Sequence, residues 1–489
     1  MKEKIKNGIL PCILIFLAVI ATMNLPIIQN GDELWTFANT YKLYNGISLY
    51  NENNIIVTPL FFWIGNLIFK VLGATFFTYR IYNIILTFSL YAVVYRILKT
   101  CKIKKEIAII ITIALMFMLF VINKVGADYT VLALIYFYIG VLNLLKNIDK
   151  KANIIFQGII LFAIFMTKQN VAVYYGIALF AYLLSKPQKI KNILLLGMTT
   201  IIPVILFLGY EFAIGEFYNF INYTVLGIKE FAQNNIIVED KLYTQTGIAI
   251  QISAILIGSI QIRDDKIKNK KDEILKILFI FSVANIMLGY PIFNLYHVST
   301  GIIIPIIMII YLVYNYVSNA QISEKLKNKL NISITNIIAI ITIALVILAA
   351  KFLYKSHELL NSSKFSKEDP FFGGVITKEE PEYDEVINFI KQKEEDGEKV
   401  IIFDIRANLY MVPLKKNNQN YDLPMLGNWG KNGENVVLED IKNKQNTYFL
   451  TYEETRRITT QESKKIKEYM KENFINKGTI GKYNIYYKE

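Results

Sequence analysis

Residues 8–33 read GILPCILIFLAVIATMNLPIIQNGDE: an apolar run closed by two adjacent carboxylates, Asp32 and Glu33. A helix needs about 20 predominantly apolar residues to cross a bilayer, and the stretch 8–28 has that length. The preceding MKEKIKN carries Lys2, Lys4 and Lys6. It has the charge of a signal peptide's first segment, but no small-residue cleavage site follows, so the run reads as a retained signal-anchor.

Working outward, the same pattern recurs along all but the last quarter of the 489 residues. Further membrane helices are predicted at 78–98, 106–123, 130–146, 154–167, 171–185, 193–213, 245–262, 275–293, 299–317 and 332–353, about 11 in all with the first. With 54% hydrophobic and 19% charged residues, and a mean hydropathy of +0.36, the chain is excluded from the soluble, disordered and fibrous classes. The apolar runs are continuous rather than alternating, which excludes a β-barrel.

The net charge of +13 does not point to nucleic acid, because of where it lies. Residues 1–353 hold 31 basic and 17 acidic side chains, whereas residues 354–489 hold 22 and 23. Of those 31 basic residues, 23 fall in every second loop, among them Arg96 to Lys105, Lys186 to Lys191 and Arg263 to Lys276. That alternation places the N-terminus in the cytoplasm. An odd number of spans then puts residues 354–489 outside.

The expected organisation is a transmembrane domain, 1–353, followed by a soluble extracytoplasmic α/β domain, 354–489. In the latter, Tyr383, Val386, Ile387 and Ile390, and again Ile466, Tyr469, Met470 and Phe474, have helical spacing. KVIIFDI, NTYFLTY and KYNIYYK read as strands, and Gly427, Gly430 and Gly433 as turn residues. Cys12 and Cys101 are the only cysteines and are not expected to pair. Two outer loops are long. The first, 29–77, contains PLFFWIGNLIFKVLG (59–73), read as an interfacial helix anchored by Trp63. The second, 214–244, is aromatic and suited to cover a site at the lipid surface.

The topology brings six ionisable residues to the outer ends of helices: Asp32, Glu33, Arg80, Asp128, Lys168 and His297. Such groups beside hydrocarbon are costly unless paired or working. Each also has a plainer reading: an interface marker for the carboxylates, snorkelling for Arg80 and Lys168, a structural role for His297.

The segment GDELWTFANTYKLYNGISLYNENNIIVTPLFFWIGNLIFKVLG, with the later YRIYN, resembles the first outer loop of GT-C fold glycosyltransferases. It is most similar to the protein O-mannosyltransferase and aminoarabinose-transferase-like group. The acidic pair, the NG-x-x-LY turn, the T-P-L segment, the interfacial helix and the Arg follow that group's order. GADYT, TKQN and YPIFNLYHVSTGIIIP are similar to its outer hairpins, and the likeness covers roughly residues 1–320. The resemblance implies transfer of a sugar from a polyprenyl-phosphate donor to an extracytoplasmic acceptor (a glycan, lipid or protein), in a cell membrane and with inversion at the anomeric carbon.

By family position Asp32 is then the base that takes the acceptor's proton. Glu33 orients the acceptor or tunes Asp32, and Asp128 orients the sugar, the acceptor or a cation. Arg80 grips the lipid phosphate with its planar fork, and Lys168 and His297 assist at phosphate or sugar. No catalytic metal is expected, although Asp32, Glu33 and Asp128 leave Mg²⁺ or Mn²⁺ open. There is no His/Cys cluster for zinc. Two other classes fit the sequence less well. A transporter or flippase of lipid-linked sugars is disfavoured by the absence of a repeat and by polar residues at helix ends rather than mid-membrane. An envelope-assembly scaffold leaves the acidic pair unexplained. The Ile-, Lys- and Asn-rich composition suggests a bacterial source. Deleting 354–489 is expected to change acceptor choice more than donor affinity.

Overall fold

The computed structural model describes residues 31–122, 126, 128–146, 152–234, 237–238, 240–264, 270–319, 365–369, 371–372, 374–377, 383–418, 421–452 and 463–489. The expected spans at 8–28 and 332–353 lie outside these residues.

The protein is mostly helical. In chain order the helices are α1 (Gly31–Tyr44), α2 (Leu60–Leu72), α3 (Phe76–Thr100), α4 (Lys105–Met116), α5 (Tyr129–Lys146), α6 (Ala152–Phe165), α7 (Gln169–Leu184), α8 (Lys189–Ala213), α9 (Phe217–Ile221), α10 (Gly227–Asn234), α11 (Leu242–Asp264), α12 (Lys270–Ile286), α13 (Leu295–Gly301) and α14 (Ile303–Asn319). They are followed by α15 (Tyr383–Glu395), α16 (Ala407–Met411), α17 (Gly433–Asn443) and α18 (Lys464–Asn473). Described helices overlap each apolar segment predicted between 78 and 317, whereas α9 and α10 lie in the second long loop, where no helix was predicted. Among the described residues, α3, α5, α8 and α11 are long and apolar enough to cross a membrane, and the bent pair α13–α14 makes a fifth span if counted as one. α2, α6 and α7 are apolar but shorter.

The chain forms two compact units: residues 1–25, 83–205 and 238–358, and residues 26–82, 206–237 and 359–489. The second unit thus gathers most of both long loops with the C-terminal segment.

The first unit is a helical bundle. Phe137 on α5, Tyr175 on α7 and Phe281 on α12 interlock edge to face, with centroids 5.1, 5.8 and 5.3 Å apart. Gly140 lets Tyr175 approach this closely, since a Cβ there would lie 1.9 Å from the tyrosine hydroxyl. The break between α13 and α14, a bend of 44°, was not foreseen by reading 299–317 as one helix. A break in a membrane helix frees backbone groups that need new partners. Buried Asn285 supplies them: its Oδ1 accepts from the Ile304 amide at 3.1 Å and its Nδ2 donates to the Thr300 carbonyl at 3.2 Å. Gln251 donates to the Val298 carbonyl at 3.2 Å. Cys101 is a buried free thiol, which burial pushes up to about 12.

In the second unit, α1 is the element the sequence reading missed: residues 33–42 are buried on every side. Its Thr36, Asn39, Thr40 and Lys42 interrupt any apolar stripe, so periodicity gave no signal. The helix expected at 59–73 is α2. Strands β1 (Phe365–Asp369) and β2 (Gly374–Thr377) form an antiparallel pair. Strands β3 (Lys399–Phe403), β4 (Thr447–Tyr452), β5 (Ile475–Ile480) and β6 (Tyr483–Lys488) form one sheet in the order β3-β4-β6-β5. β3 and β4 are parallel, with Lys399 opposite Thr447, and the other pairs are antiparallel. Phe449, Ile466 and Met470, all fully buried, join α18 to this sheet in the segment's own core. The three glycines have specific work. Gly427 and Gly430 take φ of +92° and +77°, and a Cβ on Gly430 would lie 2.4 Å from the Asn222 side chain. Only glycine permits both the left-handed backbone and that approach. Gly433 begins α17, where a Cβ would lie 2.2 Å from that of Trp429.

Candidate functional site

The six expected residues divide between the units, three in each.

In the second unit, Asp32 and Glu33 stand on the first turn of α1 rather than in a loop. Acidic side chains are favoured there by the unpaired amides and the positive end of the helix dipole. Consecutive helical residues point about 100° apart, and the two carboxylates differ accordingly: Asp32 is half-buried and Glu33 is buried. Glu33 Oε1 forms an ion pair with Arg80 Nε at 3.4 Å. Its Oε2 is buried and has no hydrogen-bond partner. Burial raises the Glu33 carboxyl above the ordinary carboxylate range, and the Arg80 charge and hydrogen bond oppose that shift. The Arg80 guanidinium also lies over the Phe76 ring, 4.7 Å from its centroid.

The turn is fixed from below. Thr36 Oγ1 donates to the Asp32 carbonyl at 2.6 Å, and its hydroxyl is hydrogen-bonded to the Tyr79 hydroxyl. Arg80 therefore stands one residue after a direct partner of α1.

In the first unit, Asp128 caps α5. Its Oδ1 accepts from the Thr130 and Val131 amides at 2.7 and 3.2 Å, as an N-terminal aspartate does. The same oxygen accepts from the Tyr296 hydroxyl at 3.2 Å. Lys168, at the head of α7, donates to Thr130 Oγ1 at 3.0 Å and lies 5.2 Å from the Tyr129 ring centroid. His297 is half-buried; its Nδ1 is 2.8 Å from Asn294 Oδ1, and its ring is 5.5 Å from that of Tyr296. Asp128, Lys168 and His297 are thus brought together through Thr130 and Tyr296.

The sequence reading did not single out Thr130 or Tyr296, although Tyr296 stands beside His297. It also passed over Glu211, an acid in the apolar run of α8. Glu211 is 1% exposed, and its Oε2 has no hydrogen-bond partner. Among the described residues, no group of three or more His, Cys, Asp or Glu side chains is placed to hold a metal ion.

No family model matches the sequence, and no curated protein matches it significantly. Its fold does have solved relatives. The crystal structure of the Archaeoglobus fulgidus oligosaccharyltransferase in the apo form matches with a TM-score of 0.50 at 9% identity, over 90% of this chain and 69% of that one. The structure of that oligosaccharyltransferase tethered through a disulfide bond to an acceptor peptide containing the NVT sequon matches with a TM-score of 0.50 at 10% identity, over 90% and 68%. At such identities the likeness is one of fold, and it spans both units of this chain.

Proposed function

We propose that the protein is an integral-membrane glycosyltransferase of the GT-C class. It moves a sugar from a polyprenyl-phosphate donor to an extracytoplasmic acceptor. The observation that carries this reading is a half-buried carboxylate, Asp32, beside a buried carboxylate–guanidinium pair, Glu33–Arg80, on a fold shared with an oligosaccharyltransferase.

The chemistry follows from what each group can do. The acceptor's oxygen or nitrogen forms a bond to the anomeric carbon while the bond from that carbon to the phosphate oxygen breaks. The electron pair leaves with polyprenyl phosphate, and the acceptor's proton passes to a base. Asp32 is that base: it is ionisable and solvent-reachable, and it stands on a fixed helical turn. Glu33 is committed to Arg80 and sets its position. Arg80 offers positive charge to the departing phosphate, which needs stabilisation more than a proton. Asp128 keeps the sugar- or acceptor-orienting role, and Lys168 and His297 the phosphate- or sugar-binding roles, that the resemblance implies. Attack from the side opposite the phosphate inverts the anomeric centre. In this reading the protein crosses the membrane several times, with residues 354–489 outside.

The test is to incubate purified protein with a panel of polyprenyl-phosphate sugars and an acceptor extract. Consumption of one donor, with release of polyprenyl phosphate, is expected. Failure to consume any donor that a control transferase consumes in the same extract contradicts the proposal.

A further inference from the structure

The proposed mechanism uses the first turn of α1 and leaves its last turn unexplained. Lys42 stands there with its side chain 2% exposed. A lysine is almost never buried so completely without a partner. Its ammonium forms an ion pair with Asp422, also 2% exposed, and donates to Asn53 Oδ1 at 3.2 Å. Asp422 lies 380 residues further along the chain.

The turn that presents Asp422 is held in a costly shape. Leu423 takes a φ of +57°, in the left-handed region where a side chain crowds the backbone. Such a residue persists only where its surroundings over-determine it. Here Asn54 donates to the carbonyls of Asp422 and Asn428 at 3.2 and 3.3 Å, and Asn428 donates to the carbonyl of Leu423 at 3.1 Å. A second attachment lies nearer the acidic pair. Phe37, one turn beyond Glu33, packs against Phe371 and Phe372 with centroids 6.3 and 6.0 Å apart.

We infer that Lys42 and Asp422 are positioning residues: their buried ion pair ties α1 to the C-terminal segment and so fixes Asp32 and Glu33 against Arg80. A buried ion pair adds little net stability over an apolar replacement, but it is directional and sets register. From Lys42 to Asp32 is roughly 15 Å along one rigid helix, so any rotation at the last turn is carried to the first. The catalytic consequence rests on the glycosyl-transfer reading; the mechanical tie does not.

The test uses the full chain in lipid nanodiscs, with two readouts: hydrogen exchange of the α1 amides, and kcat and donor KM for the sugar identified by the panel. Asp422→Asn and Lys42→Met should each speed α1 exchange at least about tenfold and lower kcat about tenfold, with donor KM within about twofold. The double variant Lys42→Met/Asp422→Leu leaves no lone buried charge, so it folds even where the single variants do not. Its kcat loss should be no larger than that of either single variant. Unchanged α1 exchange in the variants overturns the inference. So does a loosened α1 with wild-type kcat, or single losses that multiply in the double. If wild-type protein consumes no donor, the functional reading falls, and the exchange measurement alone decides the tie.

Discussion

At the scale of single residues, Glu33 differs plainly from a surface carboxylate. Burial raises its folded pKa above 4.5, and Arg80 only partly offsets this. The native state therefore holds that proton more tightly than the unfolded chain does. The stability it contributes is full below about pH 4.5 and is lost as pH rises through the folded value. Glu33→Gln removes the titration, so the melting temperature of wild type relative to the variant should fall as pH rises above about 4.5. A wild type that gains on the variant as pH rises would show the carboxyl to be depressed instead. Asp128 shows how a residue type can be read in two ways. A cap is sufficient to place an aspartate at the head of α5, yet its capping oxygen also meets Tyr296, an interaction a cap does not require.

At the scale of elements, α3 to α8, α11, α12 and the α13–α14 pair were legible because long apolar helices announce themselves by length and apolarity. The strands Lys399–Phe403, Thr447–Tyr452 and Tyr483–Lys488 were legible from their β-branched and aromatic residues. Two features were not. Residues 33–42 of α1 are buried all round through aromatic partners distant in sequence, so that stretch has no polar face to set against an apolar one. The bend between α13 and α14 is written in Asn285, on another helix, whose side chain replaces the hydrogen bonds the break removes. Asn285→Ala should therefore leave the Ile304 amide unsatisfied and destabilise the protein by about 1–3 kcal/mol. Thermal unfolding in detergent measures this. A shift indistinguishable from zero would mean that another group or a water holds the break.

At the scale of the whole molecule, the candidate residues themselves were legible, since ionisable groups at the ends of apolar runs stand out. Their partners were not. Nothing in the sequence ties Lys42 to Asp422, or Phe37 to Phe371 and Phe372. The packing alters what truncation should do. Removing the C-terminal segment strips α1 of a buried counter-ion and three aromatic contacts, and breaking one buried pair alone costs about 3–5 kcal/mol. Deletion of residues 359–489 should thus abolish transfer with every acceptor and expose α1 to protease, rather than shift acceptor choice. A truncated protein that still transfers, with altered acceptor preference, would restore the simpler view of the segment as a recognition module. The central claim, however, is that one carboxylate on α1 takes the acceptor's proton. It is tested most directly by the turnover of purified Asp32→Asn, compared with wild type on the same lipid-linked donor. The account predicts a kcat lower by at least about a hundredfold, with melting temperature and donor KM close to those of wild type. A correctly folded variant that retains full transfer activity would contradict it.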